Sequence, residues 1–313
     1  LGRARPRGAA MAPGVGFIGL GAMGGPMAAV LAGKGVPLRV YDTRPEACEK
    51  LETLGATRAA SVRDCADGVE VLVVAVVNAQ QVTTVLFDEA VGAVSNGFRG
   101  TCVVCATLHP AFSEEAGARA VKLGARYVDA PMSGGTIGAA AGRLTFMASG
   151  DEAALASCRD VLGHMGKAYI VGSSPGKGSS MKMINQCLAG IHLVAAAEAM
   201  ALAAKAGLDT RQVFDVIRSA LGTSAVFEDR VPHMLDDDPT PHAAVDIWPK
   251  DLGIVLDEAK RLGLPCPMAG QALQQFLAAR GLGLGDKDDS FVVKVYEALG
   301  GAPVARPRDA RDG

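Results

Sequence analysis

The chain is poor in aromatic residues, 4% with a single tryptophan, and it has no basic excess, since 31 lysines and arginines face 33 acids for a formal net charge of −2. Without a cationic stripe for phosphates or an aromatic platform for bases, nucleic acid is excluded as the main partner. A long uninterrupted apolar run is also missing. The most apolar stretch, near 187–206, is broken by His192, Glu198 and Lys205, so it reads as a buried helix and no membrane partner is expected. His192 itself reads as a core histidine. The seven cysteines are odd in number and scattered, which argues against a disulfide framework and for reduced thiols in a cytoplasmic setting. Cys102 and Cys105 alone have metal-like spacing. They lie in TCVVC, a β-type run whose residues three apart point to opposite faces, so no metal site is expected. The opening LGRARPRGAA carries three arginines without the apolar core of a signal peptide, and Met11 reads as the start.

What the chain does have is a globular composition, 49% hydrophobic and 20% charged, and 313 residues, enough for two domains at about 150 residues each. Its excess is glycine, 39 residues against about 22 at average usage. From Val15 to about Val171, β-branched runs (VGFI, LRVYD, VEVLVVAVV, TCVVCA, RYVDA, LTFMASG, AYIVG) alternate with helical stretches. This pattern predicts α/β architecture, a doubly wound Rossmann-type sheet over residues 12–174. After Gly176 the β signals stop, and an all-α domain is expected over 175–300, with glycine or proline punctuation at Gly207, Gly222, Pro239, Pro249 and Gly263. Its opening helix, Ser179 to Ala206 with Gly207 as C′ residue, would be about 42 Å long and join the two domains. Residues 1–11 and 301–313 read as disordered tails.

Directly after the first β run stands Gly19-Leu20-Gly21-Ala22-Met23-Gly24, and the next run ends at Asp42, 18 residues beyond Gly24. A strand before GxGxxG, a helix after it and an acid about 20 residues on form the dinucleotide fingerprint. The first glycine permits the tight turn, the second lets the backbone approach a pyrophosphate, and the third allows close packing, while the helix N-terminus offers N–H donors to phosphate. Asp42 would accept from ribose hydroxyls and repel a 2′-phosphate, which selects NAD. Arg44 is the opposing signal, because arginine can pair that phosphate.

Two further segments carry chemistry. In Asp129-Ala130-Pro131-Met132-Ser133-Gly134-Gly135, a Gly-Gly turn after a strand exposes N–H groups that, with the Ser133 hydroxyl, can nest a carboxylate. In GKGSSMKMINQ, Lys182, Asn185 and Gln186 share one helix face at spacings of three and four. Near a helix start, Lys182 faces the positive end of the dipole, which disfavours its ammonium form and suits it to acid–base work.

Taken together, GFIGLGAMGGPMA, DAPMSGG, GKGSSMKMINQ and KDLGIVLDEA resemble, in order and over nearly the whole chain, the β-hydroxyacid dehydrogenases, a family that includes 3-hydroxyisobutyrate dehydrogenase and tartronate semialdehyde reductase. The resemblance implies that Lys182 is the catalytic acid–base, that Ser133, Gly134 and Gly135 hold a substrate carboxylate, and that Asn185 positions the substrate. It implies too that Thr107 and Lys250 line the nicotinamide side of the cofactor, and that apolar helices of the second domain pair copies into a homodimer or homotetramer. Asn78, in VVNAQQV, completes the cofactor-binding candidates. Two positions depart from the family pattern: Gln186 replaces the second of an Asn-Asn pair, and Cys105-Ala106 replace an acid and a serine ahead of Thr107. Gln186 retains donor and acceptor capacity suited to a hydroxylated substrate tail. The segments VVNAQQV, INQCLAGIHLVAAAEAMALAAKAG, AVDIWPKDLGIVLDEA and GDKDDSFVVKVYEALG resemble the L-threonate dehydrogenase branch, which oxidises four-carbon sugar acids with NAD. Within the family, 3-hydroxyisobutyrate oxidation or reduction of tartronate semialdehyde or glyoxylate is the alternative. Outside it stands a non-catalytic dinucleotide-binding interaction module, against which Lys182 argues.

Overall fold

The computed structural model describes residues 14–300 and 302–305. Two compact units divide the chain between Lys182 and Met183, inside the long helix and eight residues beyond the expected boundary. In the first unit, nine strands among the described residues form one sheet: β1 Gly14–Ile18, β2 Leu38–Tyr41, β3 Thr57–Arg58, β4 Val69–Val74, β5 Thr101–Val104, β6 Arg126–Asp129, β7 Met132–Ser133, β8 Leu144–Ser149 and β9 Gly166–Gly172. Their order is β3-β2-β1-β4-β5-β6-β8-β7, with β9 also on β8, and every pairing from β3 to β6 is parallel. β8 is antiparallel to β6 and β7 and parallel to β9. The β-branched runs of the sequence therefore form the α/β sheet they predict, while β3 and β7, two residues each, lie below what a run of residues can signal.

The continuous apolar character of these strands follows from burial on both faces. Val15, Phe17, Val71, Val73, Val103 and Cys105 pack into one core, and Ile18, Leu72, Val74, Cys102 and Val104 into the other. Cys102 and Cys105 thus occupy opposite sides of the sheet. The chain leaves β1 toward β2 on one side and returns to β4 on the other, so the carboxyl ends of β1 and β4 border the crevice where open α/β sheets bind ligands.

The long helix spans Lys177–Lys205, and the helix ends where Gly207, at φ +80°, takes the left-handed conformation. By length and composition alone it would suffice to cross a membrane, but Leu193, Ala197 and Met200 are buried in the second unit's own core. That unit is helical, with helices Thr210–Ile217, Ala225–Asp236, Ile247–Leu262, Pro267–Gly281 and Val293–Gly300. Pro249 does not punctuate it; it sits in the first turn of Ile247–Leu262, where a missing N–H costs nothing. The tail reading needs correction for 302–305: Val304 is fully buried, accepts from the Thr210 hydroxyl at 2.9 Å and donates to Glu297 at 2.8 Å. The remaining tail residues, 1–11, 301 and 306–313, lie outside the described residues.

The helical core is organised around one buried carboxylate. Asp289 accepts from Arg230 Nε at 2.7 Å and from the Trp248 indole at 2.9 Å, and Trp248 in turn stacks on Phe276 at 5.1 Å. Burial pushes the Asp289 carboxyl up to about 6, with the Arg230 charge opposing the shift. Removing the carboxylate leaves the buried Arg230 paired only with half-exposed Asp229 and strands the indole N–H. Asp289→Ala is expected to destabilise the second unit by about 3–5 kcal/mol, read as a lower urea midpoint for helix loss; an unchanged midpoint would contradict this ordering of the core.

Candidate functional site

The turn after β1 is shaped by what its glycines must avoid. Gly19 has φ +92°, and a Cβ there would lie 2.5 Å from the Ala75 carbonyl; one at Gly24 would lie 1.9 Å from the Gly19 carbonyl. The chain's own packing requires both. At Gly21 the nearest atom to such a Cβ is Arg44 Nη2 at 3.9 Å, so its bareness serves space outside the chain, where a phosphate can meet the backbone. The helix that follows, Gly24–Gly33, has no acid in its first turn and no side-chain cap among the described residues. Elsewhere Asp151 caps Glu152–Met165 and Ser224 caps Ala225–Asp236. A helix N-terminus without a side-chain cap beside a bare glycine fits a dinucleotide pyrophosphate.

Asp42 follows β2, next to β1, and does more than the sequence suggests. Its Oδ2 accepts from the Leu20 N–H at 2.7 Å, tying down the glycine turn, and its Oδ1 accepts from the Arg44 N–H at 2.9 Å and Nε at 3.2 Å. Burial would raise its carboxyl, but these bonds from Arg44 and Leu20 prevail and hold it below the ordinary carboxylate range. A carboxylate has about four acceptor positions, so room for a ribose hydroxyl remains. Arg44 is paired with Asp42 rather than free, although more than half of its side chain is exposed.

The other candidates of the first unit lie along the same edge. Asn78 follows β4, Thr107 follows β5, and Ser133 stands just past β6. From Asp42 to Thr107 is three strand spacings, about 14 Å, so an extended two-nucleotide ligand can lie across β2, β1, β4 and β5 in order. Asn78 has a structural duty the sequence reading missed: its Oδ1 caps the Gln81 N–H at 2.9 Å, and Gln81 Oε1 accepts from Val77 at 2.8 Å. The pair resembles a capping box shifted by one residue, since Gln81 meets the N–H of Val77 and not that of Asn78; it is visible as N-x-x-Q and leaves the Asn78 amide N–H groups for other partners.

Ser133 is fixed because Met132 and Ser133 pair with Phe146 and Thr145 of β8. Gly134 and Gly135 follow at φ +128° and +60°, conformations that exclude side chains and leave adjacent N–H groups unencumbered. Four residues before Ser133, the last residue of β6, Asp129, is fully buried. Its Oδ2 accepts from the Gly176 N–H at 3.0 Å and the Ser179 N–H at 2.7 Å, and its Oδ1 accepts from the Ser179 hydroxyl at 2.8 Å. The Gly178 N–H donates to Ser149 Oγ at 2.9 Å, and a Cβ at Gly178 would lie 2.4 Å from the Met147 carbonyl. The first turn of the long helix is therefore pinned to the sheet edge. Lys182, buried at 7% exposure, comes one turn later. Asp129 opposes the helix dipole that the sequence reading set against the lysine's charge, so the dipole acts there only in part.

In the second unit, Gln186 is buried and its amide is engaged. Its Nε2 donates to Asp251 Oδ2 at 2.6 Å, and its Oε1 accepts from Asn185 Nδ2 at 3.0 Å. Gln186 thus joins Asn185, which is half-buried, to Asp251, a contact that its place on the helix does not signal. Lys250 Nζ pairs with Asp251 Oδ1 at 2.6 Å, so Asn185, Gln186, Asp251 and Lys250 form one chain of contacts.

Both parts of the chain match known families. Residues 14–173 match the profile of the NAD binding domain of 6-phosphogluconate dehydrogenase, and residues 176–296 that of the NAD-binding domain of NADP-dependent 3-hydroxyisobutyrate dehydrogenase. The chain is 43% identical over 291 residues to an L-threonate dehydrogenase of Cupriavidus necator, covering 92% of this chain and 98% of that protein. The crystal structure of a 3-hydroxyisobutyrate dehydrogenase from Salmonella typhimurium is also 43% identical, with a TM-score of 0.85 over 91% of this chain and all of that one. A structure described as Psf3 in complex with NADP+ and 2-OPP is 26% identical, with a TM-score of 0.83 over 90% of this chain and 99% of that one.

Because Asp42 carries the charge nearest Arg44, replacing it frees the guanidinium. Asp42→Ser is expected to move the ratio of kcat/KM for NADP over NAD upward by about tenfold or more, equivalent to about 1.4 kcal/mol. A wild-type protein that already prefers NADP would contradict the weight placed on Asp42.

Proposed function

The chain belongs to the 3-hydroxyisobutyrate dehydrogenase-like, β-hydroxyacid dehydrogenase family of nicotinamide-dependent oxidoreductases, and on that footing we propose that it oxidises a four-carbon sugar acid, L-threonate, at the carbon bearing the 2-hydroxyl, with NAD. The observation that carries this reading is the shared anchor of two functional parts. Asp129 ends the strand that leads into Ser133-Gly134-Gly135, and the same carboxylate holds the turn that presents Lys182.

The Ser133 hydroxyl and the Gly134 and Gly135 N–H groups hold the substrate carboxylate through charge-assisted bonds. In its neutral form Lys182 Nζ takes the proton from the substrate hydroxyl as the carbon bearing it is oxidised. When bound along the sheet edge, the nicotinamide dinucleotide supplies the hydride acceptor. Holding the carboxylate on a rigid turn confines the hydroxyl to the lysine's reach, so that orientation as well as proton transfer lowers the barrier. Asn185, one turn further along the helix, contacts the hydroxylated tail. Met181, Ile184 and Leu188, each about half exposed, form an apolar stripe suited to a second copy of the chain.

Relatives named for L-threonate and for 3-hydroxyisobutyrate share the same identity with this chain, so substrate preference has to be measured. A site built to bond hydroxyls rejects analogues without them strongly. We expect kcat/KM for L-threonate to exceed that for 3-hydroxyisobutyrate at least tenfold, about 1.4 kcal/mol in transition-state binding. An equal or reversed ratio would place the chain with the 3-hydroxyisobutyrate enzymes. Lys182→Ala should lower turnover by about 10²–10⁴ while leaving NADH binding, read by fluorescence titration, nearly intact. Turnover near wild type would remove the lysine from its role.

A further inference from the structure

We propose that Ser113 is a positioning residue for proton transfer: its hydroxyl, bonded to that of Ser179, fixes the rotation of the first turn of the long helix and so the aim of Lys182. The proposal rests on the reading of Lys182 as the base and names the element that steadies it from a second side.

Ser113 belongs to helix Pro110–Lys122, which begins just past Thr107 and has a proline at its start. Its buried face, Pro110, Ser113, Ala116, Gly117 and Ala120, recurs at helical spacing and carries one polar side chain, the fully buried Ser113. Alanine fills positions 116 and 120 of this face and would serve packing at 113 as well, with better helix propensity and no hydroxyl to desolvate. A buried hydroxyl is tolerated where it is bonded, and the hydroxyls of Ser113 and Ser179, 66 residues apart, share a hydrogen bond of 2.8 Å.

The glycines record how closely the two segments meet. A Cβ at Gly117 would lie 2.6 Å from Pro175 Cγ, and one at Gly176, where φ is +94°, would lie 2.5 Å from Glu114 Cγ. As the helix advances from Ser113 through Glu114 to Gly117, its partners run back from Ser179 through Gly176 to Pro175. The turn that starts the lysine helix is thus laid antiparallel along helix Pro110–Lys122. Apolar contacts of this kind set the distance between two segments but, being non-directional, fix rotation weakly. A hydrogen bond adds direction.

Asp129 holds the same turn from the end of β6, through the Gly176 and Ser179 N–H groups and the Ser179 hydroxyl. One attachment leaves a pivot, and a second from a different element removes it. Lys182 follows Ser179 by three residues, about 4.5 Å along the axis and on a neighbouring part of the same face. With the tip of a long side chain about 8 Å from the axis, a rotation of about 10° moves it by about 1.4 Å. A shift of about 1 Å at a reacting group can cost about 10²-fold in rate. Because helix Pro110–Lys122 starts directly after the Thr107 segment, the base and the proposed nicotinamide wall share one support.

The test uses the full-length enzyme with NAD and whichever of L-threonate and 3-hydroxyisobutyrate it turns over faster. Ser113→Ala should lower kcat about tenfold or more, with KM for NAD, NADH affinity by fluorescence titration and the urea midpoint all near wild type. Since the hydroxyl acts through the lysine, adding Ser113→Ala to Lys182→Ala should change the residual turnover by less than about twofold. Ser113→Cys, close in shape but a weaker hydrogen-bonding group, should fall between Ser113→Ala and wild type, and it carries the same comparison if Ser113→Ala does not fold. An unchanged kcat, a loss confined to KM for NAD, or an equal loss on the Lys182→Ala background would overturn the positioning role and leave the lysine reading standing. Turnover near wild type in Lys182→Ala alone would overturn both.

Discussion

The arrangement depends on a single buried carboxylate. Asp129 ends a parallel strand and at once accepts two backbone N–H bonds and one hydroxyl bond from the first turn of the long helix. Burial raises its carboxyl, while Ser179 and Gly176 act to lower it. A helix N-terminus carries orphan donors and a positive partial charge, and a buried acid has acceptors in need of partners; each satisfies the other. The geometric result is that the loop four residues after Asp129 and the lysine three residues after Ser179 are set by one group. Precision in a proton-transfer site comes from such support more than from the reacting side chains themselves.

A different economy governs the dinucleotide edge. Its positions are contributed by consecutive strand ends, so their spacing is the spacing of strands and needs no long-range contact to maintain it. Asp42 reinforces the arrangement by bonding Leu20, linking the end of β2 to the turn after β1. The acid that is expected to discriminate between cofactors is thereby part of the turn's architecture, and its substitution acts on shape as well as on charge.

Most of the fold was legible because it obeys short-range rules. Seven strands announced themselves as β-branched runs, and the glycine turn as a motif between strand and helix. β3 and β7 were not legible, since two residues carry no period. The site was legible in part. Lys182, Ser133 and the paired glycines stand in compact segments, but Asp129 gains its role from Gly176 and Ser179, 47 and 50 residues away, a pairing that no local pattern encodes. The partner of Gln186 was not legible for the same reason. Spacing places Gln186 beside Asn185 on the helix, whereas the carboxylate that its amide meets, that of Asp251, lies 65 residues further on. The cap at Asn78 differs, because N-x-x-Q is a local signal that the sequence itself carries.

The distribution of thiols has a practical meaning. Cys48, Cys65, Cys102, Cys105 and Cys158 are all buried in the first unit, and burial pushes Cys65 and Cys102 up to about 12 and Cys158 up to about 11, so none offers a reactive thiolate near neutrality. Cys187 and Cys266 are partly exposed, and both belong to the second unit. A thiol-specific label therefore divides the molecule: it marks the helical unit while the chain is folded and reaches the sheet unit only when that core opens, giving a chemical clock for each half without any engineered cysteine.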